Sequence, residues 1–337
     1  MTESDGMTTR RTVMQAAGLG LGAMLAAAPH AVGAAASAEI SAADYWANKG
    51  DVKLSLYRKR VAPAPGRPPQ PVLFLVHGSS ISARPTFDLT VPGAGEYSFM
   101  NVFARQGYDV WTMDCENYGR SSRTESNSDI KSGVEDLKAA SAVVTQVTGQ
   151  SRFHLLGESS GALRAAAFAA AMPDRVDRLV LEAFTYTGRN SPTLAKRGEQ
   201  LEYYRTHTRR KRDREMIRSI FTRDKPGTSD PHVAEALADA ELQFGETIPT
   251  GTYLDMTANL PVVDPAKVMA PVLLLRGEHD GIASLDDLLD FFGKLPNPDR
   301  QFVMLAGAAH ALNLGLNRAQ VWHAVESFLA MPKRADT

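Results

Sequence analysis

The sequence predicts an α/β protein: a doubly wound, mostly parallel sheet covered by helices on both faces, with a helical insertion past its middle. Three observations carry this. From Ala43 onward, short continuous apolar runs alternate with helix-like segments, as expected of parallel strands buried on both faces. Each run ends in a polar or glycine-containing turn. Between Thr185 and Asp264 the rhythm changes, and charged helical segments replace buried strands.

The strands follow in order. Val52, Leu54 and Leu56 alternate with polar residues, which predicts an antiparallel strand, half exposed at one edge of the sheet. The continuous apolar runs 72–76, 108–113, 153–156, 179–181, 272–275 and 302–305 predict the other strands. In the insertion, Ala234 to Phe244 has helical spacing and Arg205 to Arg218 is crowded with charge, so a small helical cap over the carboxyl edge of the sheet is expected. The expected organisation is a core in two parts, 39–184 and 265–337, separated by a cap at 185–264.

Composition narrows the function. Among 337 residues, 44% are apolar, enough for one large core and a subdomain. Lys and Arg total 37 against 38 Asp and Glu, so no overall field draws the chain to nucleic acid, and a small-molecule substrate is expected. Cys115 is the single cysteine, which excludes an intrachain disulfide and cysteine-built metal clusters. No P-loop, dinucleotide glycine fingerprint or metal-ligand spacing is present, and neither cofactor nor metal is expected.

Residues 1–38 read as a signal peptide. Arg10 and Arg11 precede a mildly apolar, Ala- and Gly-rich stretch, resembling a twin-arginine export signal, and Ala36 and Ala38 form an A-x-A cleavage site. A periplasmic or secreted location follows, without stable membrane insertion once the signal is removed. The alternative is an uncleaved anchor, against which the glycines, Pro29 and His30 weigh.

The chemistry centres on Gly157-Glu158-Ser159-Ser160-Gly161, which lies between a buried strand and an Ala-rich helix ended by Pro173. G-x-S-x-G in this setting is a nucleophile turn: the glycines permit a tight bend, and the serine is held strained with its hydroxyl exposed. Two further segments agree. His77-Gly78-Ser79-Ser80 follows one strand, and Asp114-Cys115-Glu116-Asn117-Tyr118-Gly119-Arg120-Ser121 follows the next.

On these motifs the chain resembles the α/β-hydrolase family from about Asp51 to Ala330, the cap excluded. Asn117 stands where the family's D-x-x-G-x-G-x-S turn has its first glycine, and asparagine also tolerates positive φ. The resemblance implies the chain order Ser, acid, His. His310, after the strand 302–305, matches the histidine loop, and the G-x-x-D pattern selects Asp280 as the acid; Glu278 is its rival and Glu182 a distant third. The backbone N–H groups of Ser160 and Ser79 are the expected oxyanion donors, with Ser80 as the alternative to Ser79. His77 is expected to brace its turn, and Cys115 to be a small buried apolar residue.

The implied reaction is a two-step acyl transfer to water through Ser159, with a carboxylic ester as first substrate class and an amide, lactone or carbon–carbon bond as the alternative. A non-catalytic binding protein on the same fold is the reading from another class. In the cap, Arg205, Arg209, Arg210, Lys211, Arg212, Arg214 and Arg218 outnumber Asp213 and Glu215. This run reads as a solvated face, or else one or two of its arginines turn inward to hold a substrate anion. Tyr203, Tyr204, Phe221, Phe244 and Tyr253 are candidates for the cap's inner face.

Overall fold

The computed structural model describes residues 39–63 and 66–332; the expected signal at 1–38 lies outside them. Ten strands form among the described residues: β1 (Ile40–Lys49), β2 (Val52–Val61), β3 (Val72–Val76), β4 (Asp109–Met113), β5 (Phe153–Glu158), β6 (Val176–Glu182), β7 (Arg209–Lys211), β8 (Thr247–Pro249), β9 (Val272–Gly277) and β10 (Arg300–Leu305). Eight of them make one sheet in the order β1-β2-β4-β3-β5-β6-β9-β10. β1 and β2 run antiparallel to their neighbours, and β3, β4, β5, β6, β9 and β10 are mutually parallel.

The pleat explains why the interior strands read as unbroken apolar runs. Side chains alternate between the faces of a strand, and here both faces are covered. In β3, Val72, Phe74 and Val76 enter one core with Leu137 and Phe168 of the helices Ile130–Thr148 and Ser160–Ala171. Leu73 and Leu75 enter the other, with Phe103 and Phe328 of the helices Phe99–Arg105 and Arg318–Leu329. The sheet is therefore doubly wound, as expected.

The edge differs from expectation. β2 is antiparallel, but β1 covers it, so Leu54, Ser55 and Leu56 are all buried and β1 takes the edge. β1 (ISAADYWANK) fully buries only Ala47 and leaves Trp46 47% exposed. A strand that hides so little has no apolar alternation to announce it.

Between β6 and β9 lie the helices Pro192–Gly198, Leu201–Thr206, Arg214–Thr222, Pro231–Leu242 and Gly251–Leu254, together with the antiparallel ribbon β7–β8. The ribbon departs from the all-helical reading of this segment: its three-residue strands are too short to show a period, and Arg209–Lys211 belongs to it rather than to a helix. Ile217, Phe221, Val233 and Leu237 pack with Ile81, Leu89 and Leu314, which seats these helices on the loops beyond the sheet. Among the described residues, no helix is long and apolar enough to cross a membrane.

Candidate active site

The turn at Ser159 is built by exclusion. β5 ends at Glu158, the helix begins at Ser160, and between them Ser159 adopts φ 57°, ψ −122°, a conformation costly for a residue with a Cβ. Its N–H donates to Glu182 O at 2.8 Å. A Cβ on Gly157 would strike the backbone of Gly161, and one on Gly161 would strike the carbonyls of Val76 and His77. The glycines thus allow β3, β5 and the helix to meet closely enough to hold the serine at the carboxyl ends of the strands, where ligands of open α/β sheets bind.

His310 and Asp280 come to the same point from the ends of β10 and β9. His310 Nε2 lies 3.1 Å from Ser159 Oγ, and His310 Nδ1 lies 2.9 Å from Asp280 Oδ1. A carboxylate only accepts, so Nδ1 carries the proton and Nε2 presents a lone pair to the serine hydroxyl. Asp280 Oδ1 also accepts from Ile282 N at 3.0 Å. Burial pushes the Asp280 carboxyl up, but the charge and hydrogen bond of His310 and the Ile282 N–H outweigh it and hold the group below its usual range. The acid and histidine loops pack against each other through Gly277, where a Cβ would meet Ala308 O and Ala309 O.

The rival acids lie elsewhere. Glu278 is exposed and accepts from Gly307 N at 2.8 Å. Glu182 is buried and bonded by Asn313 Nδ2, its carboxyl raised by burial and by the charge of Glu158. Glu158 is itself pushed up to about 7, by burial and then by Asp280.

Beside the serine, Ser79 and Ser80 line a narrow cleft with Ser159 and His310. Their hydroxyls are engaged by residues outside the loop: Ser79 Oγ donates to Ser160 Oγ at 2.8 Å and accepts from Thr252 Oγ1 at 2.8 Å, while Ser80 Oγ and Tyr253 OH share a bond of 2.7 Å. Ser160 opens its helix, so its N–H points out of the first turn without an intrahelical acceptor. His77 is a neutral brace. Its Nδ1 donates to Gly78 O and its Nε2 accepts from Cys115 N, while burial and then Arg164 push its pKa down to about 3. Cys115 is buried, its thiol pushed up to about 12. Asn117 has φ 72°, the conformation for which asparagine substitutes for glycine.

The arginine run resolves residue by residue. Arg209 donates to Asn117 Oδ1 and Thr124 O, Arg214 pairs with Glu235 and Asp239, Arg218 with Glu235, and Arg205 lies near Glu202. Arg212 is buried against Glu241, whose other oxygen accepts from Ser82 N at 3.0 Å. This pair ties the insertion to the Gly78–Ser82 loop. Arg212→Met is expected to destabilise the fold by about 3–5 kcal/mol, because it strands a buried carboxylate; the double change Arg212→Met with Glu241→Leu should recover much of that loss in thermal unfolding.

Of the run, only Arg210 reaches the larger cavity, of about 660 Å³, where it is joined by Arg197 and Arg223, which sequence reasoning missed. Arg197 and Arg223 also line the cleft at Ser159. Tyr204 and Tyr253 line the cavity, whereas Phe221 is core, Tyr203 is an exposed ring stacked on His207, and Phe244 lines a different surface hollow. Asp224 brings an oxygen within 4.8 Å of ligand-capable atoms of Asp280 and His310. That trio resembles a metal-ligand set, but both His310 nitrogens and Asp280 Oδ1 are already used by the hydrogen-bonded chain through Ser159.

Comparison with known proteins agrees with the fold. Residues 91–315 match the model of the family described as serine aminopeptidase, S33, a span that contains Ser159, Asp280 and His310. A 2-hydroxy-6-oxononadienedioate/2-hydroxy-6-oxononatrienedioate hydrolase of Paraburkholderia phymatum is 38% identical over 112 residues, which are 32% of this chain and 34% of the relative. A hydrolase of the same description from Pseudomonas putida is 28% identical over 208 residues, 57% of this chain and 67% of that one. The aligned stretch thus spans about a third of the first relative's length. Among solved structures, 2-hydroxy-6-oxo-6-phenylhexa-2,4-dienoate hydrolase from a Rhodococcus strain superposes with a TM-score of 0.59 at 19% identity, covering 87% of this chain and 100% of that one. A carboxylesterase of Bacillus subtilis gives 0.57 at 17%, covering 86% and 92%. The eight-stranded sheet, the family match over residues 91–315 and the structural neighbours agree: the chain belongs to the serine aminopeptidase S33 family and has the α/β-hydrolase fold.

Proposed function

We propose that the chain hydrolyses a small molecule through an acyl-enzyme on Ser159, with a carboxylic ester as the first substrate class. The observation that carries this is the unbroken chain from Ser159 Oγ through His310 to Asp280 at 3.1 and 2.9 Å. Ser159 attacks the carbonyl, His310 takes its proton at Nε2 and returns it to the leaving group, and Asp280 holds the imidazole in the required tautomer and supports its charge. The oxygen that becomes negative is met by the N–H groups of Ser160 and Ser79, with Ser80 as the alternative to Ser79. Water then cleaves the ester on Ser159 by the same route, so the cycle needs no cofactor.

The activities for which the two relatives are named favour a second reading, cleavage of a carbon–carbon bond beside a carbonyl. Turnover of matched substrates decides between them: aryl and alkyl esters against an oxo-dienoic acid, each with wild type and Ser159→Ala. Faster Ser159-dependent cleavage of esters supports the first reading, and faster cleavage of the oxo-dienoate replaces it with the second. Binding without turnover of any substrate would favour the non-catalytic alternative.

Export through residues 1–38 is part of the same proposal. Replacing Arg10 and Arg11 by lysine is expected to leave uncleaved precursor in the cytoplasm, seen by fractionation. Undiminished export would exclude the twin-arginine route.

A further inference from the structure

Hydrolysis of an ester at Ser159 needs no positive charge beyond the oxyanion donors, yet the cavity next to the serine is walled by cations. Lys196, Arg197, Arg210 and Arg223 line it, with Asp224 the carboxylate among its lining residues. Asp224 is spoken for in part, since its Oδ2 lies 3.5 Å from Arg223 Nε. Arg197 and Arg210 enter no ion pair among the described residues. Arg197 reaches Met256 Sδ at 3.9 Å, and both guanidiniums lie over the ring of Tyr253, at 5.0 and 4.7 Å.

Such a wall is unfavourable by itself. Burial, followed by the charge of Arg223, pushes the Arg197 guanidinium down to about 10. Elsewhere the insertion does compensate: Arg209, Arg212, Arg214 and Arg218 each have an oxygen partner. Two cations without an ion pair among the described residues, Arg197 and Arg210, line the cavity, and Arg197 and Arg223 line the cleft that holds Ser159 and His310 as well.

We infer that Arg197, Arg223 and Arg210 form an anion subsite that holds a carboxylate on the substrate while its carbonyl lies at Ser159. The substrate class is therefore an acid carrying a second, hydrolysable acyl group. A guanidinium fork matches a carboxylate in shape as well as charge, and contact with the Tyr253 ring orients both guanidiniums without a carboxylate partner. This assignment rests on the hydrolase reading above, but its test does not require turnover.

Binding is measured by calorimetry in the Ser159→Ala background, with the dicarboxylates from succinate to azelate, the dimethyl ester of the tightest binder, and inorganic phosphate. At least one dicarboxylate is expected to bind, more tightly than its dimethyl ester and than phosphate. Arg197→Gln and Arg223→Gln are each expected to weaken it about ten- to a hundredfold, the scale of one lost charge-assisted contact. Arg205→Gln, at an exposed arginine outside the cavity, is the control and is expected to change nothing. Arg197→Lys, which keeps the charge and loses the fork, should fall between wild type and Arg197→Gln; it carries the test should the glutamine variant fail to fold. Absence of dicarboxylate binding, equal affinity for the dimethyl ester, or unaltered affinity in the arginine variants overturns the subsite. Tighter binding of phosphate overturns its assignment to a carboxylate. Failure of Ser159 to react with an acylating probe would instead overturn the hydrolase reading and leave these binding results standing.

Discussion

Ser159→Ala and His310→Ala are each expected to lower turnover by several orders of magnitude, about a thousand- to a million-fold, on the scale seen when members of such triads are removed. The two side chains act as one unit, since the serine hydroxyl is a poor nucleophile until Nε2 accepts its proton. Combining the changes should therefore cost little more than either alone. The fold should survive. Both side chains are buried at the rim of the sheet rather than inside its apolar layers, and alanine leaves Gly157 and Gly161, which make the turn possible, untouched. Thermal unfolding close to wild type, together with lost turnover, is the expected pair of results. Lost turnover accompanied by collapse of the fold would show only that the site is structural.

The second large effect is at Asp280. Asp280→Asn preserves the size of the side chain but presents its amide to His310, so the imidazole no longer holds its proton on Nδ1, and turnover should fall about ten-thousandfold. Glu278→Gln should change little, because that carboxylate is exposed and its acceptor role is to Gly307 N. The sign with pH follows from the direction at Asp280. His310 holds that carboxyl below its usual range, so the stabilisation it gives is present above that range and is lost as pH falls through the lowered value. Asp280→Asn should thus make stability less sensitive to acid. If Glu278→Gln proves the more damaging change, the acid is Glu278 and the pairing with Asp280 is incidental.

What was legible in the sequence follows a physical division. The turn at Ser159 is encoded by consecutive residues, because its constraint is local: two glycines that admit no Cβ and a serine between a strand and a helix. Asp280 and His310 sit just past β9 and β10, and an apolar run identifies the end of a strand wherever the strand later lies in the sheet. β1 gave no such signal, since it buries one residue fully, and the ribbon β7–β8 is shorter than any period. The cavity was the least legible part. Which arginine faces inward depends on how short helices settle on the loops, so the density of charge at 205–218 marked a run in which Arg210 reaches the cavity and Arg212 is a buried tie to Glu241, and it gave no sign of Arg197, which stands outside the run.

The most direct test of the account is covalent labelling of the wild-type protein with a fluorophosphonate, followed by mass mapping of the modified peptide. One adduct is expected, on Ser159, absent in Ser159→Ala and strongly slowed in His310→Ala. No adduct on the folded protein, or an adduct on another residue that persists in Ser159→Ala, would contradict it.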